Sequence, residues 1–188
     1  MTAMDALGLV SGGEGRDFQA VLEICRRHGS FCFIGGLAVN SYVEPVYTMD
    51  ADIVMIAPQW DELKKELLEK KFTVSDEKHS INARLGKSQL SIQFTKDPRY
   101  QAFPSRAQVR EVLGQQLPVA ALPDLVQGKL WAYQDPARRL SKREKDRLDL
   151  IRIAEKYPEH RKILPPELQQ LFAKDSFHSM DELSAHCH

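Results

Sequence analysis

The chain has 188 residues, enough for one domain with a sizeable core or for one domain with an appendage. Its 26 lysines and arginines balance its 26 aspartates and glutamates, so no global basic field predicts a nucleic-acid-binding protein. The apolar runs are far shorter than the ~20 residues that span a bilayer, and the N-terminus lacks a signal-peptide pattern. We therefore expect a cytoplasmic protein that does not associate with membranes, and three cysteines without paired spacing predict no structural disulfide.

The predicted elements alternate between helices and strands along the first half of the chain. Residues 1–16 are rich in glycine and lack periodicity, which predicts a flexible lead. The elements that follow are a helix at 17–27, a strand at 31–34, a short helix at 37–43, a strand at Asp50–Ala57, a helix at 59–70, and strands at 72–75, 81–85 and 89–95. This order predicts an α/β (α+β) fold, with a small mixed sheet flanked by helices.

Two prolines, at positions 98 and 104, bracket an irregular stretch that marks a change in the pattern. After residue 107 the pattern is mainly helical. We therefore place a domain boundary near residue 105, between a core at 17–105 and a mainly helical C-terminal subdomain at 106–188.

A glycine pair and a pair of aspartates are the most informative motifs. Gly35 and Gly36 stand where a strand turns into a helix, and glycine allows the close approach of a phosphate to backbone N–H groups. Asp50 and Asp52 are two residues apart on a strand, so both side chains lie on one face, roughly 7 Å apart. An apolar run follows at once, which favours a magnesium site over a solvated edge, although the glycine pair alone fits any tight turn.

This combination resembles the motif of the DNA polymerase beta-like nucleotidyltransferase superfamily. The resemblance implies that Gly35 and Gly36 bind the triphosphate of an NTP and that Asp50 and Asp52 hold the catalytic Mg²⁺. Thr48 matches a threonine of the minimal and abortive-infection toxin branch, and so it joins the predicted nucleotide-binding residues. The arginine that often precedes this threonine by two residues is Val46 here.

The second half extends the resemblance to the toxin-like branch. A short strand and a lysine-containing helix at Leu117–Leu130, followed by Lys-Asp-x-x-Asp-Leu at Lys145–Leu150, are similar to that branch's C-terminal motifs. The resemblance implies that Lys129 contacts phosphate and that Asp146 orients this lysine or the acceptor. Lys129 could instead be a lysine whose amine reaches solvent at a helix surface, and Asp146 with Asp149 could belong to a salt-bridged surface.

The third acidic residue of the superfamily is missing. Along the strand at 89–95, apolar residues alternate with polar ones, and the expected position is Gln93, which we expect to lie beside Asp50 and Asp52. A glutamine carbonyl can contact a metal but cannot accept a proton in this role. Loss of a positioned base typically costs ~10² to 10⁴ in rate.

Two further clusters have weaker support. Basic residues at 138, 139, 142, 143 and 147 could bind RNA phosphates, or could simply be solvated. Histidines at 178, 186 and 188 with Cys187 suggest a zinc site, but no second segment with paired ligands accompanies them.

The sequence therefore predicts a Mg²⁺-dependent nucleotidyltransferase that moves a nucleoside monophosphate from an NTP to a hydroxyl of RNA, a protein or a small molecule. A toxin-like role with an antitoxin partner belongs to the same hypothesis. The alternative is a catalytically weakened relative that binds nucleotide or a partner without turnover, and a purely structural module would show no metal-dependent nucleotide affinity. The sequence assigns neither the acceptor molecule nor the nucleobase of the preferred NTP.

Overall fold

The computed structural model describes residues 14–86 and 88–173. Helices α1 to α6 are Glu14–His28, Gly35–Asn40, Trp60–Glu69, Leu122–Gln134, Leu140–Lys156 and Pro166–Ala173. Strands β1 to β7 are Ser30–Ile34, Asp50–Ile56, Phe72–Asp76, Ser80–Leu85, Ser91–Thr95, Gln108–Val112 and Gln115–Val119. Short 3-10 helices lie at Pro98–Tyr100, Pro104–Arg106 and Pro158–Ile163. The predicted flexible lead at 1–16 lies outside the described residues up to residue 13, whereas its last three residues belong to α1, which begins at Glu14. The histidine-containing tail also lies outside the described residues.

Within the described residues, seven strands form one mixed sheet in the order β3-β4-β5-β2-β1-β7-β6. The pairs β2–β5 and β1–β7 are parallel, and the remaining neighbours are antiparallel. The sheet and its helices confirm the predicted mixed α+β fold. The helix predicted at 37–43 begins earlier, at Gly35, so the glycine pair is part of α2 rather than a turn before it.

One face of the sheet is apolar and packs against helices. The ring of Phe18 on α1 lies 5.7 Å from the ring of Phe33 on β1, on the face that also holds Ile53 of β2. Glu66 of α3 accepts hydrogen bonds from Arg27 and His28 at the end of α1, so α3 lies beside α1. This side of the sheet forms much of the core, because alternation along each strand sends the apolar residues there.

The chain divides into two compact units, Met1–Gly128 and Lys129–His188. The division differs from the boundary predicted near residue 105, because β6 and β7 occupy 108–119 in the stretch predicted to be mainly helical. These strands depend on a distant partner, since Val119 of β7 pairs with Phe33 of β1. The local sequence pattern is a weak signal for β7, because Pro118 lies within this strand and proline is rare inside a sheet.

The second unit contains the end of α4 together with α5 and α6. Its core is apolar, and the guanidinium of Arg161 lies 4.5 Å from the centre of the Phe172 ring. The hydroxyl of Tyr133 donates a hydrogen bond of 3.2 Å to Glu167, which joins α4 to α6. No helix among the described residues has the length and apolar composition needed to cross a membrane.

Candidate functional site

The two aspartates lie at the start of β2, as predicted. Asp50 is the first residue of the strand and Asp52 the third, so their side chains lie on the same face. Both are half-buried, whereas Ile53, Val54 and Met55 directly after them are fully buried. The backbone N–H of Asp50 donates a hydrogen bond of 3.3 Å to the hydroxyl of Thr48. The pair is therefore at the mouth of a buried strand, where carboxylates are accessible to a ligand.

The glycine pair packs directly against this carboxylate pair. Gly35 has φ +69°, a backbone conformation that side chains other than hydrogen rarely permit. A Cβ at this position would lie 2.8 Å from Cγ of Asp52 and closer still to one carboxylate oxygen. At Gly36, a Cβ would lie 3.4 Å from the side chain of Thr48. The absence of a side chain at Gly35 therefore allows the Asp52 carboxylate to lie against the β1–α2 turn.

Hydrogen bonds hold the segment between α2 and β2 close to this turn. The side-chain amide of Asn40 donates to the carbonyl of Val46 at 2.7 Å, and its oxygen accepts from the Val46 N–H at 3.0 Å. The guanidinium of Arg110 donates to the carbonyl of Ser41 at 2.7 Å. Val46 itself is half-exposed, at the position where the superfamily often has arginine.

The strand register confirms the placement predicted for Gln93. Asp52 of β2 pairs with Gln93 of β5 in parallel register, and Asp50 pairs with Ser91. Paired residues of parallel strands point to the same face, so Gln93 lies beside Asp52 and is exposed. Among the described residues, no group of three or more histidine, cysteine, aspartate or glutamate side chains could hold a metal ion. The site therefore offers two carboxylates and an amide rather than three carboxylates.

This donor set fits magnesium bound together with a nucleotide. Mg²⁺ typically uses one or two carboxylates and substrate phosphates, and it keeps several waters. Asp50 and Asp52 would supply the two carboxylates. Because Asp50 and Asp52 lie on the same face of β2, they could hold Mg²⁺ together with a nucleotide without a third acidic residue.

In the second unit, Lys129 is at the centre of a buried ionic network. Its amine lies 2.9 Å from Asp146 and 2.7 Å from Asp149, both on α5. Arg138 donates to the second oxygen of Asp146 at 2.7 Å, and Arg152 donates to Asp149 at 2.7 Å. The lysine is 9% exposed and the two aspartates are 2% and 7% exposed. Sequence reasoning missed both arginines, although the spacing of Asp149 and Arg152 on one helix could have indicated that pair.

Burial alone lowers the pKa of the Lys129 amine, but the adjacent carboxylates of Asp149 and Asp146 raise it above its usual value. The lysine is therefore charged at neutral pH. Its amine does not reach solvent at a helix surface, and the two aspartates are not part of an exposed salt-bridged surface. The proposed contact of Lys129 with phosphate, and the role of Asp146 toward the acceptor, remain predictions.

Several residues of the basic cluster already have partners within the second unit. Arg138 binds Asp146, Arg143 donates to the carbonyl of Tyr133 at 2.9 Å, and Arg147 lies 3.8 Å from Glu144. RNA binding by this cluster stays a prediction.

The two described cysteines, Cys25 and Cys32, are free thiols in the core of the first unit. Burial raises the pKa of each thiol to about 12, which makes both unreactive at neutral pH.

Comparison of the whole structure with known proteins identifies the fold. No protein-family model matches the chain, and no curated protein sequence does so either. Solved structures do match, and they show that the chain has a nucleotidyltransferase-like fold.

Three solved structures with TM-scores above 0.5 illustrate this similarity. The solution structure of the antibiotic-resistance factor ANT(2'')-Ia has a TM-score of 0.56 and 16% identity, over 91% of this chain and 96% of that one. The crystal structure of ANT(2'')-Ia in complex with adenylyl-2''-tobramycin has a TM-score of 0.55 and 14% identity, over 82% and 96%. JHP933 from Helicobacter pylori has a TM-score of 0.52 and 17% identity, over 88% and 76%.

Proposed function

We propose that the chain transfers a nucleoside monophosphate from an NTP to a hydroxyl group in a Mg²⁺-dependent reaction. One observation is the main support: Asp50 and Asp52 share a face of β2, and the carboxylate of Asp52 lies against the backbone of Gly35. In this proposal the two carboxylates hold the metal next to the start of α2, where the phosphates bind. A small-molecule acceptor is favoured, because a structural neighbour is seen in complex with adenylyl-2''-tobramycin.

Each candidate site residue of the first unit has a defined role in this proposal. The backbone at Gly35 and Gly36, together with Thr48, binds the triphosphate, and Asp50 with Asp52 holds the metal. Mg²⁺ would neutralise charge on the phosphates as the α-phosphorus is attacked. The acceptor oxygen forms a bond to the α-phosphorus, the bond from that phosphorus to the β-phosphate oxygen breaks, and pyrophosphate leaves.

The acceptor proton needs a destination other than Gln93. A neutral amide has no basic oxygen, so in this proposal the hydroxyl proton leaves to water. Turnover without a positioned base is then slower by ~10² to 10⁴ than it would be with one. The adjacent position of Gln93 and Asp52 thus predicts tight nucleotide binding with slow transfer.

In the second unit, we propose that Lys129 contacts phosphate and that Asp146 positions its amine. The hydrogen bond of 2.9 Å between them supports the positioning role, because it fixes the direction of the amine. The same network also stabilises the second unit by itself, so a test must separate binding from stability.

A second candidate function is nucleotide binding without turnover. Gln93 favours it, since the residue that should accept the proton is an amide. An RNA or protein acceptor and a toxin-like role with an antitoxin remain further proposals, supported only by the resemblance of the motifs. A cytoplasmic location also remains a proposal, which rests on the sequence pattern alone.

The test measures nucleotide binding first and transfer second. Calorimetry with ATP, GTP, CTP and UTP, each with and without Mg²⁺, should show metal-dependent affinity that Asp50→Asn and Asp52→Asn remove. Asp61→Asn is the matched control, because the Asp61 side chain is 94% exposed on α3. Release of pyrophosphate with tobramycin, RNA or a protein extract then separates transfer from binding alone. No metal-dependent affinity for any NTP would reject both candidate functions.

A further inference from the structure

The sheet has a second feature beside the aspartate pair, a grid of polar side chains on four adjacent strands. Parallel pairing sets Asp52 beside Gln93, and antiparallel pairing continues this row to Asn82 and Ser75. Two residues along, the same register gives a second row. In this row Asp50 pairs with Ser91 and Arg84 pairs with Thr73. The β4–β5 register ends at the pair of Ala83 and Ile92, and continuing it by one residue sets Arg84 beside Ser91.

This polar face is open to solvent. Thr73, Ser75, Arg84 and Gln93 are exposed, and Asn82 and Ser91 are half-buried. The opposite face of the same strands contains the buried residues of the core, where α1 packs through Phe18. The side-chain hydroxyl of Ser75 donates to the exposed carboxylate of Glu77 at 2.8 Å, which places one anion at the outer edge.

The grid lies on the side of the aspartates where an acceptor must bind, if the proposed function holds. The order of strands is β5-β2-β1, and the glycine pair follows β1 while Gln93 is on β5. Triphosphate at the glycine pair therefore lies on one side of Asp50 and Asp52. In phosphoryl transfer the attacking and leaving oxygens are roughly in line, so the acceptor enters from the opposite side, over β5 and β4.

Arg84 determines which acceptor this face prefers. Its side chain is exposed and makes no hydrogen bond or ion pair with any residue in the described ranges. It is on β4, two strands from β2, and so about 10 Å from the aspartate strand. A small sugar-sized molecule can span that distance. Apart from Asp50 and Asp52, the grid contains neutral side chains and this one cation.

We infer that the β3–β5 face is the acceptor site, and that Arg84 binds an anionic group of a small hydroxyl-rich molecule. This inference rests on the proposed function. Neutral amides and hydroxyls at Gln93, Asn82 and Ser91 suit hydroxyl groups, whereas the guanidinium of Arg84 suits a phosphate or carboxylate and repels an amine. The acceptor is therefore anionic rather than a polyamine.

The test uses three hexoses of different charge: the anion glucose 6-phosphate, neutral glucose and the cation glucosamine. Each is titrated into the isotope-labelled full chain, with and without Mg²⁺ and a non-hydrolysable ATP analogue. NMR reports the Nε–H of Arg84 and the side-chain amides of Asn82 and Gln93. Glucose 6-phosphate should bind about ten- to hundredfold more tightly than glucose, the range of one charge-assisted contact, and glucosamine more weakly than glucose.

Variants assign the preference to one residue. Arg84→Met should remove the preference for glucose 6-phosphate, Arg84→Lys should keep part of it, and Arg26→Met should leave it unchanged. Arg26 is the matched control because it is exposed on α1, which packs on the opposite face. Thermal melts should show that these exposed substitutions keep the fold.

Equal affinities for the three hexoses would overturn the inference, and so would a preference that persists in Arg84→Met. An RNA oligonucleotide that shifts the same amides at lower concentration than glucose 6-phosphate would also overturn it. If nucleotide binds and is transferred but no charge preference exists, only this inference fails. If the preference exists but no NTP binds with Mg²⁺, the proposed function fails and the anion site remains.

Discussion

Replacement of Lys129 by methionine should destabilise the second unit strongly. The substitution keeps the length of the side chain but removes the charge that lies 2.9 Å from Asp146 and 2.7 Å from Asp149. Both carboxylates are then buried with one arginine each, Arg138 and Arg152. The expected loss comes from repulsion between these two adjacent carboxylates, which the amine between them no longer offsets.

The magnitude follows from burial. Removal of one partner from a buried ion pair costs ~3–5 kcal/mol, far more than an exposed pair contributes. The two remaining arginines offset part of this cost, so we expect about 3 kcal/mol of unfolding free energy. With a urea dependence of about 1–3 kcal/mol per molar, the midpoint should fall by roughly 1–3 M.

The two tryptophans of the chain make the assay specific to each unit. Trp60 is on α3 in the first unit and Trp131 is on α4 in the second. Urea unfolding in a Trp60→Phe background follows Trp131 alone, and a Trp131→Phe background follows Trp60. Lys129→Met should move the transition seen by Trp131 and change the other much less.

Two control variants separate the effect of the lost charge in Lys129→Met from the effect of replacing a lysine side chain in general. Lys145→Met removes an exposed lysine of α5 and should cost within about 0.5 kcal/mol. Combining Lys129→Met with Asp149→Asn should recover part of the loss, because it removes the repulsion between the two adjacent carboxylates. If Lys129→Met unfolds within about 1 kcal/mol of the wild type, the network does not stabilise the unit and the argument from burial is refuted.

The pH dependence follows from the sign of the shift. The pKa of Lys129 is raised above its usual 10.5, so its contribution to stability is complete below that value. The contribution is lost as pH rises through the folded-state pKa. The difference in stability between wild type and Lys129→Met should therefore narrow only above about pH 10.5, where the amine loses its proton.

Three other predictions concern the first unit. Gly35→Ala should abolish metal-dependent nucleotide affinity in calorimetry, because the added Cβ would collide with the Asp52 carboxylate. Gly86→Ala is the control and should retain the affinity, because Gly86 is also at positive φ but a Cβ there meets open space. Equal affinity in both variants would disprove the packing argument. Gln93→Asp should raise transfer by at most ~10² to 10⁴, measured as pyrophosphate release, and a slower enzyme would show that another group accepts the proton. Burial alone raises the pKa of Glu66, but hydrogen bonds from Arg27 and His28 of α1 lower it below its usual value. The stabilisation is therefore present above the usual pKa and is lost as pH falls through the folded-state pKa. Acid titration of stability should show this loss in the wild type and not in Glu66→Gln.

The sequence by itself determined the local part of the site. Alternation along β2 places Asp50 and Asp52 on one face regardless of what the strand pairs with, because the period of a strand is fixed by its backbone. The same rule placed Gln93 on the polar side of β5. The apolar run after Asp52 predicted a buried strand, and the glycine pair marked the change from strand to helix.

Tertiary structure decided which of these local features meet. The register of β2 against β5 brings Gln93 beside Asp52, and only long-range hydrogen bonds set it. Strand β6 was missed, and β7 was expected only as a short strand at the start of Leu117–Leu130, through the resemblance. Pattern alone did not predict β7 because it is stabilised by pairing with β1. The network around Lys129 also needed the fold, since Arg138 approaches Asp146 from a loop before α5. Periodicity is local and can be read from one segment, whereas pairing and burial depend on segments far apart in the chain.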